Sequence, residues 1–216
     1  MLPVFHFLDA GGKLTDLQHW LRAILTGAFE RAAPLLPLKP LDVVVQAGAF
    51  VIPEKGHVGY APRCDVVFVT VDPLNPALIT NQDCSLERMF VHELHHCARW
   101  TGPGYGLTLG QALVSEGLAC QFAREIYGNP HEPWEEINVP EAGSHVLRAD
   151  QEWDNDRYGH HAWFYGNDTL PRWLGYSLGS RLVGAYLSRN AGTKPSNLWN
   201  EGADSFRGYL PLVQSL

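Results

Sequence analysis

Apolar positions near the start of the chain fall at helical spacing. Leu14, Leu17, Leu21, Ile24, Leu25 and Phe29 share one face of a helix expected over 13–33, which Pro34 and Pro37 end. The period then changes. Leu41-Asp-Val-Val-Val-Gln46 is rich in β-branched residues and predicts a strand, and a second short strand is expected just before Pro53. A Gly-containing loop is expected over 54–60. Asp65-Val-Val-Phe-Val-Thr-Val71 is the clearest strand of the chain, closed by Asp72-Pro73, and its continuous apolar run fits an interior strand.

Beyond residue 80 the pattern turns helical. Asp83 or Ser85 is placed to cap a helix running to about Trp100, and Thr101-Gly-Pro-Gly-Tyr-Gly106 breaks it. Thr108-Leu-Gly-Gln111 has the form of a capping box and opens a helix that stops near Gly128. The stretch 129–170 is polar, rich in Trp, Asp and His, and shows no clear period. A last helix is expected over 172–187 despite three glycines. No internal repeat or low-complexity linker is evident. The pattern predicts an α+β fold in a single domain over 1–216, with a small sheet and one key helix in 1–101 and a mainly helical half in 102–216.

That key helix carries His92-Glu-Leu-His-His96, the pattern H-E-x-x-H. Positions i and i+4 stand one turn apart on one face, so both imidazoles can reach one ion. Leu86, Phe90, Leu94 and Cys97 form a stripe on nearly the opposite side, so the helix packs with the stripe and offers His92 and His96 to a cleft. His95 lies off their shared face, about 100° from His96 and about 60° from His92, and is expected at the surface or behind a ligand. On the next helix, Glu116 has Ala112, Leu113, Ala119 and Cys120 as its helical neighbours, none able to pair with a carboxylate. A buried, unpaired charge costs several kcal/mol, and a divalent cation held by two imidazoles is a sufficient partner. Two His and one Glu leave a fourth position open, the pattern of a catalytic zinc site. Glu93, beside the first ligand, is placed to take a proton from an attacking water.

Composition narrows the field further. Among 216 residues, 45% are hydrophobic and 18% charged, which suits a packed globular chain. The formal charge is −7 with no run of Lys or Arg, so nucleic-acid binding is not expected. No stretch is long and apolar enough for a membrane span, and the start shows no basic segment followed by an apolar one. Cys64, Cys84, Cys97 and Cys120 contain no C-x-x-C pair and are read as reduced thiols of a cytoplasmic protein. Three functions suit these features: a zinc peptidase, a zinc hydrolase of a non-peptide amide or ester, and a zinc-stabilised module without catalysis. Glu93 speaks against the last, because a structural ion has no use for a general base.

With these motifs the chain resembles the gluzincin branch of zinc metallopeptidases, in which H-E-x-x-H is followed by a Glu on a second helix. More narrowly, His92-Glu-Leu-His-His96, Ser115-Glu-Gly-Leu-Ala119 and Trp173-Leu-Gly-Tyr-Ser-Leu-Gly179 resemble a bacterial family of predicted zinc-dependent proteases, over roughly residues 40–190. The resemblance implies a zincin-like fold, one catalytic Zn2+ and a peptide or protein substrate. It also implies an edge strand that pairs with substrate, placed here at Val66–Val71. For the group that stabilises the developing oxyanion, Tyr176 is the first candidate because it lies in the third motif, with Arg181 and His161 as further ones. His160, His161, Trp163 and Tyr165 are candidates to line the cleft. Asp150, Asp154 and Asp156 are candidates to orient a ligand imidazole.

Overall fold

Four strands make one mixed sheet: β1 (Val4–Leu8), β2 (Asp42–Ala47), β3 (His57–Arg63) and β4 (Val66–Val71), in the order β1-β2-β4-β3. The structure is a computed structural model that describes residues 2–130, 132–135, 137 and 142–215. β1, β2 and β4 run parallel, and β3 pairs antiparallel with β4. The β-branched runs explain the centre of the sheet. Val43 and Val45 of β2 and Val67, Val69 and Val71 of β4 alternate onto one buried face. There they meet Leu21, Leu25 and Phe29 of α1 (Gln18–Ala32). After the short α2 (Pro76–Thr80) comes α3 (Ser85–Arg99), whose stripe of Leu86, Phe90, Leu94 and Cys97 joins the same core, as its spacing predicts.

The remaining helices are α4 (Leu109–Tyr127), α5 (Ala142–Gln151), α6 (His160–Tyr165), α7 (Leu174–Arg189) and α8 (Asp204–Arg207). Leu109, Leu113, Val114 and Leu118 of α4 form a second core with Trp153, Trp163, Phe164, Leu178 and Leu182. The fold is α+β, with the sheet in the first half and helices in the second. Two glycines set the distance between α4 and α7. A Cβ on Gly117 would lie 2.1 Å from the Gly179 carbonyl oxygen, and one on Gly179 would lie 2.2 Å from that of Leu113. Glycines that weaken α7 as an isolated helix are thus what lets it press backbone to backbone on α4.

Several expectations change. β4 has neighbours on both sides, so Val66–Val71 is not the edge strand that the resemblance implies; β3 holds that place. Residues 54–60, expected as a loop, contribute the start of β3. Its Gly59 and Pro62 hide the pattern, yet proline is tolerated on an edge strand, and here the register shifts between Tyr60 and Arg63. The strand expected before Pro53 is reduced to a single bridge between Ile52 and His57, with Phe50 88% exposed. β1 was hidden because five residues with one polar position show too little alternation. Neither Asp83 nor Ser85 caps α3. The Asn81 side-chain oxygen accepts from the Leu86 N–H instead, and Cys84 takes a left-handed conformation at the cap. The capping box on Thr108 and Gln111 forms as its sequence predicts, and α4 ends at Gly128. Within the patternless stretch, residues 131, 136 and 138–141 lie outside those described, and α5 and α6 occupy much of the rest.

Candidate metal centre

α3 and α4 bring together the three residues that their sequence singles out. His92 Nε2 lies 2.9 Å from Glu116 Oε2 and 3.0 Å from His96 Nε2, and His96 Nε2 is 3.4 Å from the same carboxylate oxygen. All three donor atoms lie within 4.8 Å of one another, so the trio could hold a metal ion. Glu116 is 5% and His96 6% exposed. Among the described residues, the ion-pair partners of Glu116 are the two imidazoles. Burial alone would raise its pKa, but the charge of His96 and the hydrogen bonds from His92 and His96 hold it well below the usual carboxylate range. Burial is the largest influence on His92 and opposes its charge, yet the bond to Glu116 and the charges of Glu116, Glu93 and Glu135 together outweigh it and the pKa is raised. Two imidazole nitrogens aimed at each other and at one oxygen need a shared cation, whether a proton or a metal. A donor set of two His and one Glu suits zinc.

The far side of each donor is also held. Ser115 Oγ sits 3.3 Å from His96 Nδ1 and Cys120 Sγ 3.8 Å from His92 Nδ1, so each Nδ1 has a polar partner while Nε2 faces inward, free to bind an ion when Nδ1 carries the proton. Tyr105 donates its hydroxyl to Glu116 Oε1 at 2.8 Å, and its ring lies 5.6 Å from that of His96. Sequence reasoning missed all three roles. Ser115 and Cys120 flank Glu116 at positions that a helical wheel aims at α3, which was a usable signal. Tyr105 sits in the Gly-rich turn, where no period operates.

Glu93 is 8% exposed; burial raises its pKa, against the lowering influence of His96 and His92 and a hydrogen bond from the Ala61 N–H of β3. A Cβ on Gly59 would meet the Glu93 side chain at 2.5 Å, so β3 presses on Glu93 only because that residue is glycine. Beside the trio opens a cavity of about 220 Å³ lined by His92, Glu93 and Tyr176 among others. Tyr176 is half-buried, and burial, with Glu116 next, pushes its hydroxyl pKa well up; it shares a hydrogen bond with Tyr165, which lines the same cavity.

Other candidates are placed elsewhere. Arg181 donates to the Ile137 carbonyl, and His161 is exposed with its ring against Tyr165. Trp163 is core. His160 stacks on Phe164, 5.9 Å from the Tyr105 ring. Asp150 and Asp154 pair with Arg207 at the surface, and Asp156 is exposed, so none of the three orients a ligand imidazole. His95 is not at the surface: it is fully buried, its ring 5.4 Å from Phe122, and burial drives its pKa well down.

No helix among the described residues is long and apolar enough to cross a membrane. No curated protein matches the chain. The sequence profile of one family matches residues 22–206, a span that holds every residue of the trio, Glu93, Tyr105 and Tyr176. The chain therefore belongs to that family, DUF2268, described as a predicted Zn-dependent protease.

Proposed function

We propose that this protein is a zinc-dependent hydrolase of the gluzincin type that cleaves peptide bonds, with a zincin-like arrangement of sheet and helices. The observation that carries the reading is the convergence of His92, His96 and Glu116 within 4.8 Å, with Glu93 on the same helix and a cavity at its side. His92 Nε2, His96 Nε2 and a Glu116 oxygen would hold one Zn2+. A bound zinc supplies Lewis acidity that polarises a carbonyl and makes water acidic. Glu93 takes the proton of the attacking water and returns it to the leaving amine, a transfer its burial favours by making the carboxylate more basic. Tyr176, on the cavity wall beside Glu93, donates its hydroxyl to the developing oxyanion. β3 presents its outer edge at Val58–Tyr60 for pairing with an extended peptide, so that Gly59 lays the substrate backbone against Glu93.

The test is metal analysis combined with cleavage of a peptide library read by mass spectrometry. Purified protein is expected to carry one equivalent of zinc, lost in His92→Ala and Glu116→Ala. Glu93→Gln should keep the zinc and lose about 10²- to 10⁴-fold in kcat. A protein that takes up no zinc would end the proposal. Zinc binding with cleavage of simple esters or amides but no peptide would move the activity to another amide or ester.

A further inference from the structure

The cavity beside the trio follows the seam between α3 and α4. Met89 lies one turn before His92 on α3, and Ala123 lies two turns beyond Glu116 on the same face of α4. Val58 of β3, Trp134 and Trp173 supply the other walls, the two indoles meeting edge to face with ring centroids 6.2 Å apart. Apart from Glu93, the charged groups at the cavity have partners already. Glu132 pairs with Lys55 at 2.6 Å, Arg172 with Glu54 at 2.9 Å, and Arg88 donates to the carbonyls of Asp83, Tyr127 and Gly128. Glu135 lies in the field of Arg124. An anionic side chain entering here would lose its water and face the carboxylates of Glu93, Glu132 and Glu135. A cationic one would compete with Lys55 and Arg124 for Glu132 and Glu135, and an apolar one would lose nothing against Val58, Met89, Trp134 and Trp173.

Size narrows the occupant further. A dry cavity of about 150 Å³ is enough for a benzene ring, and this one holds about 220 Å³. Alanine at 123, 3% exposed, is what leaves that space open on the α4 side. Since the same cavity reaches His92 and Glu93, the side chain that fills it belongs to a residue next to the bond being cut.

We propose that this cavity is the specificity pocket of the peptidase, that it takes one large apolar or aromatic side chain adjoining the scissile bond, and that Ala123 sets its depth. The proposal rests on the peptidase reading above, and its test separates the two.

Blocked peptides identical except at one residue (Phe, Trp, Leu, Ala, Lys or Asp) are assayed with the zinc-loaded full chain. The same set is titrated by calorimetry into zinc-loaded Glu93→Gln. The Phe, Trp and Leu peptides should exceed the Ala, Lys and Asp peptides at least about tenfold in kcat/KM and in affinity. Ala123→Leu should lower the ratios of kcat/KM for the Phe and Trp peptides to that for the Ala peptide at least about tenfold. Because Ala123 is buried, Ala123→Val, which adds less volume to the core, should shift preference the same way by less. Cleavage without side-chain preference, or a preference for Lys or Asp, overturns the pocket and leaves the peptidase standing. Selective binding without any cleavage keeps the pocket and removes the peptidase. Preference unchanged in both filled variants overturns the role of Ala123.

Discussion

Tyr105 is joined to the metal centre by one hydrogen bond, to the Glu116 oxygen that the imidazoles leave free. Groups that orient a ligand in this way are commonly worth 10- to 100-fold in metal affinity. Tyr105→Phe is therefore expected to weaken zinc binding by about that factor, measured by competition with a chromophoric chelator; an unchanged affinity would remove Tyr105 from the site. The convergence of His92, His96 and Glu116 was legible in the sequence because they sit on helices, where spacing converts directly into direction. Tyr105 was not, because its position depends on a turn that folds back over α4, and no local pattern encodes where a turn delivers its side chain.

A second residue-scale expectation concerns acid. His57, 1% exposed, bonds through Nε2 to Ser85 Oγ, and burial with the nearby Lys55 charge lowers its pKa to about 3. An unfolded His binds its proton near pH 6.5, so the unfolded state gains protons first as pH falls. The neutral ring's contribution is complete above about 6.5 and is lost between there and about 3, at up to roughly 1.4 kcal/mol per pH unit. Urea midpoints of the native chain should fall more steeply between pH 7 and 5 than those of His57→Gln; parallel slopes would exclude the effect.

At the scale of elements, α4 and α7 touch through Gly117 and Gly179, and a methyl at either position meets a carbonyl oxygen closer than any real contact allows. Gly117→Ala must push the helices apart and is expected to cost about 1–3 kcal/mol, read as a lower denaturation midpoint. α4 carries Glu116 and α7 carries Tyr176, so peptide cleavage should fall as well. Gain of stability, the usual result of replacing a helical glycine by alanine, would show that the close approach is not needed. Here the sequence misleads in a specific way. Glycine counts against a helix when propensity alone is weighed, whereas tertiary contact reverses the sign. The same holds for β3, whose Gly59 and Pro62 mark an edge pressed against α3. The interior strands β2 and β4 and the helices α3 and α4 were readable because burial on a fixed face left its period in the chain.

For the whole molecule, the two cores meet along α4. Phe122 and Ala123 belong to the core shared by the sheet and α3, while Leu109, Leu113 and Leu118 belong to the helical one. Glu116 stands at that boundary and reaches to the histidines of α3. Any ion bound there ties one half to the other, and it stabilises the folded state by about 4 kcal/mol when free zinc exceeds its Kd by a thousandfold. Chelation should lower the melting temperature of the native chain and leave that of His92→Ala untouched; equal shifts in both would sever metal from folding. A rivet that holds the frame and also serves the chemistry proposed above makes loss of zinc a structural event as well as a chemical one: the seam between α3 and α4 loses its clamp together with the site.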